Sequence, residues 1–331
     1  MDIFSHTAGI SNNNSGGGVI DIKADTISIG TDNLYAVRGD HGDIILNAQN
    51  NTISGGTSGV HTLNGDIKIT AEKGNQIATT NNKDVTLGAI YTSTDKEGNP
   101  GNGTIEIIAK NGNNKVNAVT DGVHTKGNGT VDLIANGYNS IISDKNAVYN
   151  NGTNTINIKA VVSENDNPST LADYNDYDNV LIAGENGIKS DFTGTTNVIA
   201  DNNNYIAGTT NGILSDGAGT ITVTAGNDNI IGQYTYKDEN NSDVIVTSNT
   251  GINITEGTVD IDANTGNNII YAKNTGIDVS KGKADLDAYG NNIISINSNS
   301  LNSSGISVID NGQVEISSKN GSIGIDVTTN F

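Results

Sequence analysis

The chain has 331 residues, a formal charge of −20, 41 glycines and no cysteine. The acidity argues against nucleic-acid or anionic-membrane partners, which require clustered Lys and Arg. Without thiols there is no disulfide framework and no thiolate metal site, and no signal peptide or membrane-length apolar run is present.

From the N-terminus, Met1-Asp2-Ile3-Phe4 reads as an artificial start, after which the sequence settles into a repeat. Its marker is an alanine closing a short strand of the form Thr-Ile-x-Ile-x-Ala: Ala24, Ala48, Ala71, Ala109, Ala135, Ala160, Ala200, Ala225, Ala263 and Ala288. Most successive alanines lie 23 to 26 residues apart, and the gaps of 38, 40 and 38 are one period plus an insertion. A fixed period of this size predicts stacked coils. In the unit 130–154, Val131, Leu133 and Ala135 alternate with Asp132 and Ile134, the period of two that marks a half-buried strand. An Asn/Gly corner follows, then a second strand in Asn139-Ser140-Ile141-Ile142, a pattern repeated at Asn75, Asn114, Asn204, Asn229, Asn268 and Asn292. Such asparagines satisfy their own turn, and stacked they can form amide ladders. A third strand is announced by Gly-Ile or Gly-Val, as at Gly59, Gly122, Gly187, Gly212, Gly251, Gly276 and Gly305.

The expected fold is all-β: a right-handed parallel β-helix of about eleven coils of ~25 residues, three strands per coil, making a rod roughly 50 Å long. It spans 1–331 as one segment, and the last repeat barely begins, so the expectation is a fragment of a longer array. Three insertions break the period, near 91–102, 161–178 and 234–243. They leave from different corners, which predicts separate surface excursions that do not share one pocket. The second, with Tyr174 and Tyr177 among aspartates, is the best of them for a contact role.

These Thr-Ile-x-Ile-x-Ala strands, Asn corners and Gly-Ile strands, without cysteine and in an acidic Asn/Thr/Gly-rich chain, resemble the passenger domains of bacterial autotransporters and filamentous-haemagglutinin-like adhesins. The resemblance covers nearly the whole chain as a style, not as a specific motif. It implies export across two membranes and display on the bacterial surface, anchored through a β-barrel outside this segment. It also implies adhesion to a host protein or glycan, or to a second copy on another cell. No nucleic acid and no direct membrane insertion by this segment are expected.

Aligning coils on the Gly-Ile pair places Arg38, His61, Tyr91, His124 and Tyr149 in one outward column, followed by Lys189, Leu214, Asn253 and Asp278. Rings in a row suit sugar stacking or a protein contact; the alternative is that they only stabilise neighbouring coils. Arg38, the sole arginine, begins Arg38-Gly39-Asp40, an integrin-type tripeptide, although Gly-Asp also recurs with the repeat at Gly42-Asp43 and Gly65-Asp66. Asp260, Asp262, Asp285 and Asp287 occupy equivalent outward positions, with Glu315 continuing one column. Their repulsion would be relieved by a cation such as calcium, or tolerated as a solvated acidic face; no cofactor is otherwise indicated. No Gly-x-Ser-x-Gly motif occurs, Arg38 is remote from the densest aspartates, and His61 and His124 lie two coils apart, so the chain reads as a non-enzyme. The remaining alternatives to an adhesin are a purely structural stalk and a polysaccharide-active enzyme.

Overall fold

A computed structural model describes residues 1–80, 87–162, 177–237, 242–298 and 303–329. Among them are 34 strands and no helix. First and second strands of the coils form one sheet of 21 strands, and third strands form a second sheet of 11. The third strands, from Ala8–Asn12 to Ser304–Val308, pair in sequence order. The pairing is parallel throughout the solenoid because each coil is itself the long crossover that parallel neighbours need. The chain is a parallel β-helix.

The alanine repeat is a physical column. Ala48, Ala71, Ala109, Ala135, Ala160, Ala200, Ala225, Ala263 and Ala288 are register partners in succession. An inward methyl at the corner leaves room for the chain to bend toward its second strand. In the coils Asp43–Gly55 and Ile67–Thr79 the corner is crossed within one continuous strand. One hydrophobic core, from Ile10 to Ile296, fills the interior of the coils.

The recurrent asparagines form the expected ladder, and it is longer than the sequence pattern indicated. Asn51, Asn75, Asn114, Asn139, Asn179, Asn204, Asn229 and Asn268 each pass Nδ2–H to the Oδ1 of the next, ending at Asn292, at 2.8–3.0 Å. In Asn51, Asn75, Asn114, Asn179, Asn204, Asn229 and Asn268 the second amide proton goes to a backbone carbonyl of the next coil, as from Asn204 to Thr224 O at 2.9 Å. The ladder starts at Asn51 because its partner in the preceding coil is Ile27, which leaves Asn51 Oδ1 buried without a hydrogen-bond donor.

The glycine of the Gly-Ile pair is demanded by packing. A Cβ on Gly122 would stand 2.2 Å from Ile141 Cγ2 and 2.6 Å from the Ala147 carbonyl oxygen. On Gly276 it would stand 2.3 Å from Ile294 Cγ2. The second-strand isoleucine occupies the volume a side chain would need. Gly122→Ala should therefore destabilise the rod by about 1–3 kcal/mol, the usual range for overpacking. Denaturant titration checks this, and an unchanged midpoint would refute it.

Candidate functional site: a ring stack and the cleft beside it

The register confirms the column read from sequence. Arg38 pairs with His61, His61 with Tyr91, Tyr91 with His124, His124 with Tyr149, and Tyr149 with Lys189. Val60, Ile90 and Val123, one residue earlier, are fully buried in the core, so each next side chain points away from it.

The rings do not form the open, flat strip that the alternation suggests. His61, Tyr91 and His124 are only 4%, 6% and 1% exposed; Arg38 and Tyr149 are intermediate. Beside the N-terminal part of the stack, the first insertion turns back on itself through an antiparallel bridge between Thr94 and Pro100. Asn99 N and Nδ2 donate to the Asp95 carboxylate at 2.7 and 2.8 Å and fix that turn. A cleft of about 570 Å³ remains between this turn and the stack. Tyr35, His61 and Tyr91 line it, with Arg38, Asp40, Asn64, Asp95 and Lys96 among its polar groups.

Tyr35 is a member that the column alignment misses. It lies opposite Ser58, yet its ring stacks on His61 with centroids 4.4 Å apart. The stack continues from His61 to Tyr91 at 5.4 Å, to His124 at 5.2 Å and to Tyr149 at 4.5 Å. A cation closes each end: the Arg38 guanidinium lies 5.0 Å from the Tyr35 centroid and Lys189 Nζ 4.9 Å from that of Tyr149. The sequence signal for this arrangement was the Tyr35-x-x-Arg38 spacing and the lysine that follows Tyr149 in the column.

Burial governs the protonation of the stack. It lowers the His61 pKa to about 4, assisted by the Arg38 charge and opposed by Asp40. Ser93 Oγ lies 3.0 Å from His61 Nε2 and 3.4 Å from the Thr62 carbonyl, to which it donates. The imidazole is therefore the Nε2–H tautomer, with Nδ1 an acceptor that has no partner. Burial, then Tyr35, raises the Tyr91 phenol to about 12. Burial and the 2.7 Å bond to Asp191 raise Tyr149 too. His124 Nδ1 lies 3.1 Å from Asp121 Oδ2. Asp121 Oδ1 in turn ends a second amide ladder, in which Asn211 donates to Asn186, Asn186 to Asn146 and Asn146 to Asp121 at 2.7–2.8 Å. Its donors point toward the N-terminus, opposite to the first ladder, because a carboxylate can only accept.

The Arg-Gly-Asp tripeptide is engaged with itself. Arg38 Nε and Nη2 donate to Asp40 Oδ1 and Oδ2 at 2.9 and 2.7 Å, and the Asp40 side chain is 14% exposed. An integrin-type ligand needs both groups free, so this reading loses its support.

Tyr174 lies outside the described residues. Tyr177 is 5% exposed and offers little contact area. The second and third insertions, expected not to share a pocket, meet at the described end of the second: Asp178 lines two cavities with Tyr234 of the third. The third insertion is an antiparallel hairpin, Gln233–Lys237 with Asp243–Thr247, which folds back toward earlier coils. Departure corners do not reveal that direction.

The acidic columns are in the expected register, Asp260 with Asp285 and Glu315, and Asp262 with Asp287. Desolvation, followed by repulsion from neighbouring aspartates, raises the pKa of Asp260 and of Asp262. Relief comes in part from Lys283, whose Nζ lies 2.8 Å from both Asp285 Oδ2 and Glu315 Oε2. Among the described residues no group of three or more His, Asp or Glu is placed to hold a metal ion, so the calcium expectation gains nothing from this face.

No protein-family model, curated protein or solved structure matches the chain.

Proposed function

We propose that this chain is a segment of a surface-displayed bacterial adhesin, attaching to a host glycan through the cleft beside the ring stack. The observation that carries this reading is the combination in one concave site of the stacked rings of Tyr35, His61 and Tyr91, which line it, with short polar side chains such as Asn64 and Asp95. Pyranose rings present C–H faces that pack on aromatic rings and hydroxyls that bond to carboxylates, amides and guanidinium groups. The cleft is small and concave, which suits one or two sugar units better than a flat protein surface. A net charge of −20 repels acidic glycans, so the favoured ligand is uncharged. The repeat style and cysteine-free composition support display outside the cell, anchored by a barrel beyond this segment.

Glycan and host-protein arrays test the proposal. Wild type should retain neutral glycans, and Tyr35→Ala and Asp95→Asn, which keeps an acceptor for Asn99 N, should each reduce the signal at least tenfold with the melting temperature nearly unchanged. Both substitutions fall on partly exposed side chains, so the fold should survive. Equal binding by the variants, or no glycan bound by wild type, would overturn the reading. The burial of His61, Tyr91 and His124 favours a second reading, a structural stalk whose rings only cement adjacent coils. A stalk predicts that a length-matched replacement of the segment leaves adhesion by the full protein intact.

A further inference from the structure

The hairpin of the third insertion has a second flank, which faces the later coils. Its base is pinned there: Gly232 N donates to Ile206 O and Ser248 N to Gly232 O, both at 2.7 Å, and Lys273 N donates to Ser248 O at 2.9 Å. Gly232 has φ +87°, and a Cβ on it would stand 2.0 Å from the Tyr271 carbonyl oxygen, so glycine is what lets the hairpin rise this close to the coil. Where it rises, a cavity of about 500 Å³ opens over the outer face of the second strands. Gln233 and Thr247, register partners at the foot of the hairpin, make one wall, and Gln233 Nε2 donates to Thr247 Oγ1 at 3.5 Å. Ile270 and Ala272 are buried, as are Ile294 and Ile296, so Tyr271 points outward from one coil and Ser295, its register partner, from the next. Lys273, exposed just past the strand, and Asn297 line the same cavity.

We propose that this cavity binds an acidic sugar, a pyranose carrying a single negative charge that Lys273 meets. Three donors are uncommitted: Lys273 Nζ, Tyr271 Oη and Ser295 Oγ have no hydrogen-bond or ion-pair partner among the described residues. Lys68, Lys110, Lys189 and Lys283, by contrast, each face a carboxylate. Lys273 is also the one charged group among the described residues that line the cavity. That sets the charge of the ligand. One cation matches one negative charge, whereas a phosphate monoester, with nearly two, would lack a second. Asp326, opposite Ser295 in the next coil and outside the lining, makes a second negative charge still less welcome. The remaining groups suit a polyol. The hydroxyls of Tyr271, Ser295 and Thr247 both donate and accept, as does the Gln233 amide, and sugar hydroxyls need both. Tyr271 also brings an aromatic ring to the site. The net charge of −20 does not prevent binding here, because remote carboxylates are screened beyond about 8 Å at physiological salt while Lys273 meets the ligand directly. The site is separate from the cleft beside the ring stack and stands whether or not that reading holds.

Calorimetry on the whole chain with methyl β-glucuronide and glucose 6-sulfate tests the site, with methyl β-glucoside as the neutral ring and acetate as the bare anion. At least one of the two acidic sugars should bind saturably. Lys273→Met keeps most of the side-chain length, removes the charge and should weaken that sugar at least tenfold, the size of one hydrogen bond to a charged group. Ser295→Ala should weaken it about threefold, the size of a neutral hydrogen bond. Neither side chain is buried, so both variants should melt with wild type. The glucoside measures whatever binds through ring hydroxyls alone, the other cleft included, and its titrations of wild type and Lys273→Met should superimpose. The two readings therefore fail separately. Preference for the glucuronide assigns a uronic acid, and preference for the sulfate assigns a sulfated sugar. Acetate binding as tightly as either sugar, no acidic sugar bound by wild type, or wild-type affinity in Lys273→Met would overturn the proposal.

Discussion

Asn204→Leu is expected to cost at least about 3 kcal/mol of folding stability, because three polar groups, two of them in fully buried bonds, lose their partner at once and each unpaired group costs about 1–3 kcal/mol. Asn204 is fully buried. It accepts from Asn179 Nδ2 and donates to Asn229 Oδ1, both at 2.9 Å, and to the Thr224 carbonyl. Leucine has similar volume and leaves the donor of Asn179 and two acceptors facing hydrocarbon. Asn204→Asp should be at least as damaging: it keeps the acceptor for Asn179 but sets a buried negative charge against two other acceptors. Contacts in a solenoid run to nearest neighbours, so the damage should appear first in adjacent coils. Hydrogen exchange would then accelerate in Asn179–Ala183 and Asn229–Ile231 before the ends of the rod respond. A loss below about 1 kcal/mol by urea denaturation would show that the ladder is ornamental, since even one orphaned group costs that much.

The same ladder shows why much of this fold is readable from sequence. A solenoid repeats its environment every coil, so a residue that solves a local problem recurs at the period. Alanine solves the corner, asparagine the amide stack, and glycine the clash with Ile141 or Ile294. Register follows once these markers are aligned, and the Arg38, His61, Tyr91, His124 and Tyr149 column came out correctly for that reason. What the period cannot encode is anything that occurs once. The turn at Asp95 stands beside Tyr35 and His61, and the hairpin at Tyr234 folds back on Tyr138 and Tyr205. Those are unique contacts between an insertion and coils distant in sequence, set by the direction in which the insertion leaves. Alternation says that His61 and His124 point away from the core; whether something covers them lies outside its reach. The same holds for Arg38 and Asp40, two residues apart on one strand and therefore on the same face, whose pairing removes the tripeptide from use. It holds again for Lys283, which the period places opposite Thr258 but whose charge answers Asp285 and Glu315.

Acidification should weaken the N-terminal coils through His61, and the sign follows from its depressed pKa. In the folded chain the imidazole titrates near 4, against an ordinary value of 6.5. Between those values the unfolded chain holds a proton that the folded chain lacks, so stability rises with pH across this window. The contribution of His61 is complete above about pH 6.5, is lost progressively as pH falls toward 4, and is constant below that. A shift of this size corresponds to about 3 kcal/mol, at about 1.4 kcal/mol per pH unit. The groups facing the ring are Tyr35 and Tyr91, neutral throughout, the Arg38 cation, which opposes protonation, and Asp40, 4.0 Å from Nδ1, which favours it. Burial outweighs Asp40 because that carboxylate is already bonded to Arg38 by two charge-assisted hydrogen bonds. Asp260 and Asp262 work in the opposite sense: their raised pKa values mean that the folded state gains relative stability as they protonate. Comparison of wild type with His61→Gln separates the two effects, since glutamine retains a donor for Ser93 Oγ and does not titrate. The wild-type curve of stability against pH should be steeper than the variant's between pH 6.5 and 4, and the curves should run parallel above 6.5. Parallel curves across the whole range would mean that water reaches Nδ1 and that His61 titrates like an exposed histidine. In that case the ring stack would also be open enough to exchange its own cover for a ligand.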